Sequence, residues 1–68
     1  MKLTDWMKRL GWTTTDLSRE ARINPRSAKK AVDGEPISAR VARDIAEAIS
    51  RASGEKQTVG EIDGLNVQ

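Results

Sequence analysis

The chain has no cysteine, histidine, tyrosine or phenylalanine among its 68 residues. Without cysteine there are no disulfides, and without cysteine and histidine the usual ligands of zinc, haem and iron–sulfur sites are missing. The lack of histidine also removes the side chain that most often acts as a general base near neutral pH. We therefore predict a protein that is not an enzyme and that carries no metal or other cofactor.

Long apolar runs are missing as well. No stretch approaches the roughly 18 residues of a membrane span, and the first residues lack the continuous apolar segment of a signal peptide. The two aromatic residues, Trp6 and Trp12, bracket a predicted helix and are expected in the core. A chain this short makes one domain at most, with no room for a separate ligand-binding domain. We expect a cytoplasmic protein with no membrane partner and no small-molecule ligand.

Charge is abundant but unevenly distributed. Residues 1–34 hold eight Lys and Arg against four Asp and Glu, a net +4, whereas residues 35–68 hold four against six, a net −2. Most of the excess lies between Arg19 and Lys30, where five basic residues are opposed only by Glu20. Such an imbalance concentrates positive potential on one side of a small domain and attracts polyanions.

Helix start and stop signals divide the chain into short helices. Apolar residues at helical spacing run from Leu3 to Leu10, before Gly11, which predicts a first helix. Thr13 can cap a second helix of about two turns. Asn24 as a cap and Pro25 in the first position predict a third helix over Pro25 to Asp33, with Gly34 as its stop.

A fourth and longest helix is predicted from a cap at Ser38 to Gly54, and its apolar positions form the centre of the core. Thr58 and Glu61 fit a capping box, which predicts a fifth helix of one or two turns. Beyond Gly64 the alternation of apolar and polar residues is weakly strand-like. The predicted fold class is therefore all-α: a compact bundle of four to five short helices.

Carboxylates occur three residues apart on the fourth helix, at Asp44 and Glu47. They could be read as a catalytic pair. Because Arg40, Arg43 and Arg51 surround them in sequence, we interpret them as members of ordinary helix ion pairs.

The faces of the third helix follow from the turn of about 100° per residue. Ala28, Ala31 and Val32 fall on one side, and Arg26 and Lys30 fall opposite them. Lys29 and Ser27 stand at the two flanks, and Asp33 joins the outer face. A rigid rod that carries cations on its outer side fits the DNA major groove, which is about 12 Å wide.

The unit formed by the second and third helices resembles the helix-turn-helix of the Cro/repressor-type (XRE-like) family. The residues at the family's packing and punctuation positions are Leu17, Ala21, Ile23, Asn24, Ala28, Ala31 and Gly34. The resemblance extends in outline over residues 3–63 and implies a lambda-repressor-like fold. The family prefers glycine at the turn position that Arg22 occupies, so a left-handed turn there would cost about 1 kcal/mol.

The resemblance implies a sequence-specific, double-stranded-DNA-binding transcriptional regulator, a repressor or Cro-like protein of a phage or other mobile element. In that family the second helix of the pair reads base edges in the major groove. The base-contacting candidates carried over are Arg26, Ser27, Lys29 and Lys30. The phosphate-contacting candidates are Thr14, Arg19, Arg22, Arg40 and Arg43.

Residues 1–63 are thus predicted to form the DNA-binding domain, with residues 64–68 as a C-terminal tail. Because one such unit buries little surface, we expect a homodimer on a pseudo-palindromic operator. The candidate dimer contacts are the apolar residues near the C-terminus: Val59, Ile62, Leu65 and Val67. Their other interpretation is that they close the monomer core.

Two other function classes remain open. The same basic face could meet an acidic protein, as in a helical adaptor or antitoxin, because helix-turn-helix folds are reused in that way. It could also bind DNA without sequence preference, as an architectural protein in recombination.

Overall fold

A computed structural model describes residues 1–68, and the fold is mostly helical. Its elements in chain order are α1 (Leu3–Leu10), α2 (Thr14–Ala21), α3 (Pro25–Val32), β1 (Pro36–Ile37), α4 (Ala39–Ser53) and β2 (Asn66–Val67). A single 3-10 turn, Val59–Glu61, lies between α4 and β2. None of the helices combines the length and the apolar character needed to cross a bilayer.

The helix ends are set by local chemistry, as predicted. The Ser38 hydroxyl accepts a hydrogen bond from the N–H of Val41 at 3.2 Å and so caps the start of α4. Gly11 follows α1 in the left-handed conformation, at a φ of 72°, where a side chain would be strained. These caps satisfy backbone groups that a helix leaves without partners at its two ends.

The core lies where the four helices meet, and α2 packs against both α3 and α4. Leu17, Ile45 and Ile49 are its largest fully enclosed side chains. The other buried apolar residues are Leu3, Trp6, Met7, Ala21, Ala28, Ala31, Ile37, Ala42, Ala46, Ala48 and Ile62. Since so many of them are alanines, the helices pack closely over a small apolar volume.

Both tryptophans contribute to this core, as predicted. Trp6 is only 3% exposed, and Trp12 is half-buried against the same cluster. The indole Nε1–H of Trp6 is buried without a hydrogen-bond acceptor. The Arg9 guanidinium lies 5.5 Å from the centroid of the Trp6 ring, which is within range of a cation–π contact.

A two-stranded parallel sheet adds to the helices. Pro36 pairs with Asn66 and Ile37 with Val67, and the N–H of Gln68 donates to the carbonyl of Ile37 at 2.9 Å. The C-terminal segment predicted as a tail after residue 63 is therefore joined to the helical body. Its weak strand pattern indicated the right conformation, but the pairing partner lies 30 residues away in the sequence.

Two predicted helix lengths differ from the structure. The third helix ends at Val32, one residue earlier than predicted, with Asp33 as its cap. The fifth helix is only the 3-10 turn. The N–H of Thr58 does donate to Glu61 Oε1 at 3.2 Å, but Ile62 turns to φ −99° and ψ 106° and its side chain enters the core, so the helix cannot continue.

Candidate nucleic-acid interface

The α2–α3 pair is built from strong local signals. The Thr13 hydroxyl accepts from the N–H of Asp16 at 3.2 Å and begins α2. Asn24 Oδ1 accepts from the N–H of Arg26 at 2.8 Å, and Pro25 takes the first position of α3. The three residues between the helices, 22–24, turn the chain sharply because Arg22 adopts a left-handed φ of 56°.

Buried apolar residues, most of them alanines, form the contact between α2 and α3. Leu17 and Ala21 of α2, and Ala28 and Ala31 of α3, are all buried. Alanines allow the backbones to approach closely, so the orientation of α3 is fixed by a tightly packed contact. The prediction that these four residues form the packing face of the pair is confirmed.

The opposite face of α3 carries the charge. Arg26, Lys29 and Lys30 are exposed, whereas Ser27 is half-buried at the flank. The structure has three ion pairs, and neither Arg26 nor Lys30 belongs to any of them. These two cations are therefore free to approach a ligand from solvent. All four predicted base-contacting residues lie on α3, and three of them face outward.

Lys29 differs from its neighbours because it has a partner. Its Nζ lies 2.8 Å from Asp33 Oδ2, one helical turn away, and its side chain is 72% exposed. The hydrogen bond that Lys29 donates to Asp33, together with the charge of that carboxylate, raises the pKa of Lys29 above its ordinary value. Lys29 is therefore a charged, positioned donor whose field is partly cancelled by Asp33.

The predicted phosphate-contacting residues fall into separate places. Thr14 is the half-buried first residue of α2, and Arg43 is exposed on α4. Arg19, Arg22 and Arg40 instead line one open groove between the end of α2 and α4. The remaining residues of that groove are Glu20, Ala21, Asp44, Glu47 and Arg51.

Arg51 was not predicted as part of this region. Its Nη2 donates to the carbonyl oxygen of Glu20 at 3.2 Å, at the C-terminal end of α2. A cation is favourable there because the last carbonyls of a helix are unpaired and carry partial negative charge. Since the two residues are 31 apart in sequence, no local pattern indicates the contact.

The ion pairs predicted for Asp44 and Glu47 are not formed. The ion pairs of the structure join the N-terminal amine of Met1 to Asp63, Arg19 to Asp16, and Lys29 to Asp33. Exposed ion pairs contribute between zero and about 1 kcal/mol, so helical spacing alone does not decide which of them form.

The four predicted dimer-contact residues do not share one environment. Ile62 is 3% exposed and belongs to the core of the monomer, so it cannot serve as a surface contact. Val59 and Leu65 are partly buried against that core. Val67 on β2 is 39% exposed and, with Met1, is one of two large apolar residues left on the surface. The core-closing interpretation is therefore correct for Ile62.

No group of three or more acidic residues is close enough together to hold a metal ion. No protein-family model, curated protein or solved structure matches this chain. Its function is therefore inferred from the geometry and charge of its own residues.

Proposed function

We propose that the chain is a sequence-specific double-stranded-DNA-binding regulator of transcription that inserts α3 into the major groove. The observation that carries the proposal is the two-sided character of α3. Ala28 and Ala31 are enclosed against the rest of the fold, and Arg26, Lys29 and Lys30 are exposed on a helix that follows α2 after a three-residue turn. This arrangement is the one that a helix-turn-helix requires.

The dimensions and the donors of α3 fit this role. Eight residues make a rod about 12 Å long, and the major groove admits a helix. Arginine and lysine donate to O6 and N7 of guanine, which makes Arg26 and Lys30 candidate base readers. Because both are free of intramolecular ion pairs, no existing contact has to be broken when they bind.

Phosphate contacts would come from residues beside α3. Arg22 lies in the turn before α3, and Arg40 lies in the first turn of α4, and the two line a shared groove. Such contacts fix the position of the protein on the duplex but carry no sequence information. They also make the affinity fall steeply with salt.

The proposed regulator acts as a dimer on two half-sites, because a single eight-residue helix makes few base contacts. Val67, with Leu65 beside it, is the remaining candidate for the contact between copies, since Ile62 is enclosed. The exposed apolar surface there is small, so the dimer is expected to form mainly on DNA.

The test is selection of bound sequences from a pool of random duplexes, followed by titration of the selected duplex. Arg26→Ala and Lys30→Ala are each expected to weaken binding by about 1–3 kcal/mol and to relax the preference at one base pair. Lys56→Ala is the matched control, because Lys56 lies beyond the far end of α4 and its loss removes the same charge.

Three results would contradict the proposal. Absence of binding at low salt would favour a protein-binding adaptor. Binding without any sequence preference would favour an architectural role. Equal weakening by Lys56→Ala and by the two α3 variants would indicate general charge attraction instead of a reading helix.

A further inference from the structure

An acidic residue stands at the C-terminal end of the basic face of α3, in the cap position. Asp33 follows Arg26 by seven residues, so the two lie on nearly the same line of the helix, about 10.5 Å apart along its axis. DNA phosphates repel a carboxylate at such a place. Asp33 is nevertheless exposed, and its one ion pair is with Lys29 of the same helix.

The carboxylate is held in one position by Lys29. Oδ2 of Asp33 accepts from Lys29 Nζ at 2.8 Å, and Oδ1 makes no hydrogen bond. The ammonium has two more protons to donate. The pair therefore presents a donor and an acceptor side by side toward solvent, with almost no net charge.

Base pairs present the complementary pattern in the major groove. The only hydrogen-bond donors there are the exocyclic amino groups, N4 of cytosine and N6 of adenine, and each lies beside an acceptor. The amino group and the acceptor of the paired base are joined by an N–H···O hydrogen bond, typically about 2.9 Å long. Lys29 Nζ and Asp33 Oδ2 are 2.8 Å apart, which matches this separation, and Oδ2 has a second lone pair with which to accept from an amino group.

We infer that Asp33 is a specificity-determining residue that accepts a hydrogen bond from an exocyclic amino group at one base pair of the DNA site, while Lys29 donates to the acceptor beside it. The inference rests on the proposed function and deepens it. The two side chains act as one reading unit, whereas Arg26 and Lys30 act singly. A carboxylate also rejects a base that offers only acceptors, because two acceptors repel each other.

The test compares the sequences selected from random duplexes by the wild-type protein, Asp33→Ala, Lys29→Ala and Glu35→Ala. Glu35 is the matched control because it is exposed, lies just beyond α3 and forms no ion pair. Asp33→Ala is expected to abolish the preference at one position, where the wild type discriminates by about 5- to 150-fold. Lys29→Ala should change the same position, and Glu35→Ala should change none. A preference for cytosine or for adenine at that position identifies the amino group.

The set of selected sequences, and not the salt dependence of binding, separates the reading of a base pair from a simple charge effect. Asp33→Ala releases Lys29 from its ion pair, so the slope of log affinity against log salt is expected to steepen by up to about 0.9 whether or not Asp33 reads a base. The slope alone therefore does not distinguish the two cases. A steeper slope with an unchanged set of selected sequences means that Asp33 only weakens DNA attraction, and this overturns the inference. Changes at two different positions in the Asp33 and Lys29 variants overturn it as well.

Failure of the proposed function has a different signature. If the wild-type protein binds no duplex, or binds all duplexes equally, both the proposed function and the inference about Asp33 are wrong. If the wild type is selective and Asp33→Ala selects the same sequences, only the inference falls. Both side chains are exposed, so we expect each variant to fold, and circular dichroism tests whether it does.

Discussion

Thr13 and Asp16 exchange hydrogen bonds at the start of α2. The N–H of Thr13 donates to Asp16 Oδ2 at 2.9 Å, and the N–H of Asp16 donates to Thr13 Oγ1 at 3.2 Å. The Thr13 hydroxyl also donates to Asp16 Oδ2 at 3.1 Å. This closed ring fixes the first turn of the helix on which α3 packs, so its loss should be felt in stability and in DNA binding.

The ring gives the fold a defined pH dependence. Hydrogen bonds from the backbone and the hydroxyl of Thr13, together with the charge of Arg19, lower the pKa of Asp16. A lowered folded-state pKa contributes stability that is present above the unfolded value, about 3.9, and is lost as pH falls through the folded value. The loss of unfolding free energy caused by Asp16→Ala should therefore be constant above about pH 5 and shrink below about pH 4.

Urea denaturation at a series of pH values measures this difference. Glu55→Ala controls for the loss of an exposed carboxylate, because the Glu55 side chain makes no hydrogen bond or ion pair. A difference between wild type and Asp16→Ala that persists undiminished to about pH 2 would contradict the expectation.

Replacement of Arg22 by glycine is expected to raise the stability of the fold and to weaken DNA binding. Its φ of 56° strains a residue with a side chain, so Arg22→Gly should raise the unfolding free energy by about 1 kcal/mol. In a domain of this size that corresponds to a rise of about 4–8 °C in Tm. The same change removes a proposed phosphate contact, so the affinity for DNA should fall and its salt dependence should become shallower.

Arg22→Ala separates the two effects. It retains the strain and removes the guanidinium, so it should weaken DNA binding as Arg22→Gly does without raising Tm. A higher Tm for Arg22→Ala would show that the charge, and not the backbone conformation, lowers stability at this turn.

The contact between α2 and α3 should not tolerate a larger residue. Ala28 has no exposed surface, and Ala28→Leu forces three more carbon atoms into a packed contact. We expect a cost of about 1–3 kcal/mol in urea denaturation, and weaker DNA binding because α3 is displaced. Ala52→Leu, at an exposed position of α4, should change stability by less than about 0.5 kcal/mol. Equal effects of the two variants would disprove the packing argument.

Substitutions at Ile62 and Val67 should differ in what they affect: the stability of the monomer for Ile62, and self-association for Val67. Ile62→Ala removes enclosed apolar atoms and should cost about 2–5 kcal/mol of unfolding free energy. Val67→Asp lies on the surface and should leave the monomer folded while it weakens self-association, as measured by sedimentation on an operator duplex. An unchanged sedimentation profile would place the contact between copies elsewhere on the chain.

Features determined by neighbouring residues could be predicted from the sequence. Thr13, Asn24 and Ser38 cap their helices as expected, because a side chain that accepts from an amide two or three residues ahead needs no tertiary information. The outward face of α3 followed from helical periodicity in the same way. The family's preference for glycine at the position of Arg22 raised a left-handed turn only as a possibility, and the structure has it, with a φ of 56°.

Features that depend on distant residues could not be predicted. Nothing near Ile62 in the sequence distinguishes a core residue from a surface contact, and the pairing of β2 with β1 joins segments 30 residues apart. Spacing along a helix also failed to predict which exposed ion pairs form. Lys29 and Asp33 form an ion pair at a spacing of four residues, yet the ion pairs predicted for Glu47 and its neighbouring arginines do not form. Such contacts are too weak for sequence distance to determine them.

The buried indole of Trp6 gives the chain an intrinsic fluorescence signal that reports its unfolding. Because there is no tyrosine, and Trp12 is only half-buried, the shift in fluorescence on unfolding comes mainly from Trp6 leaving its apolar surroundings. That signal follows α1 detaching from the other helices, whereas circular dichroism follows all of them. Coincident transitions by the two methods would show that the molecule melts in one step, and an earlier fluorescence change would reveal that α1 separates first.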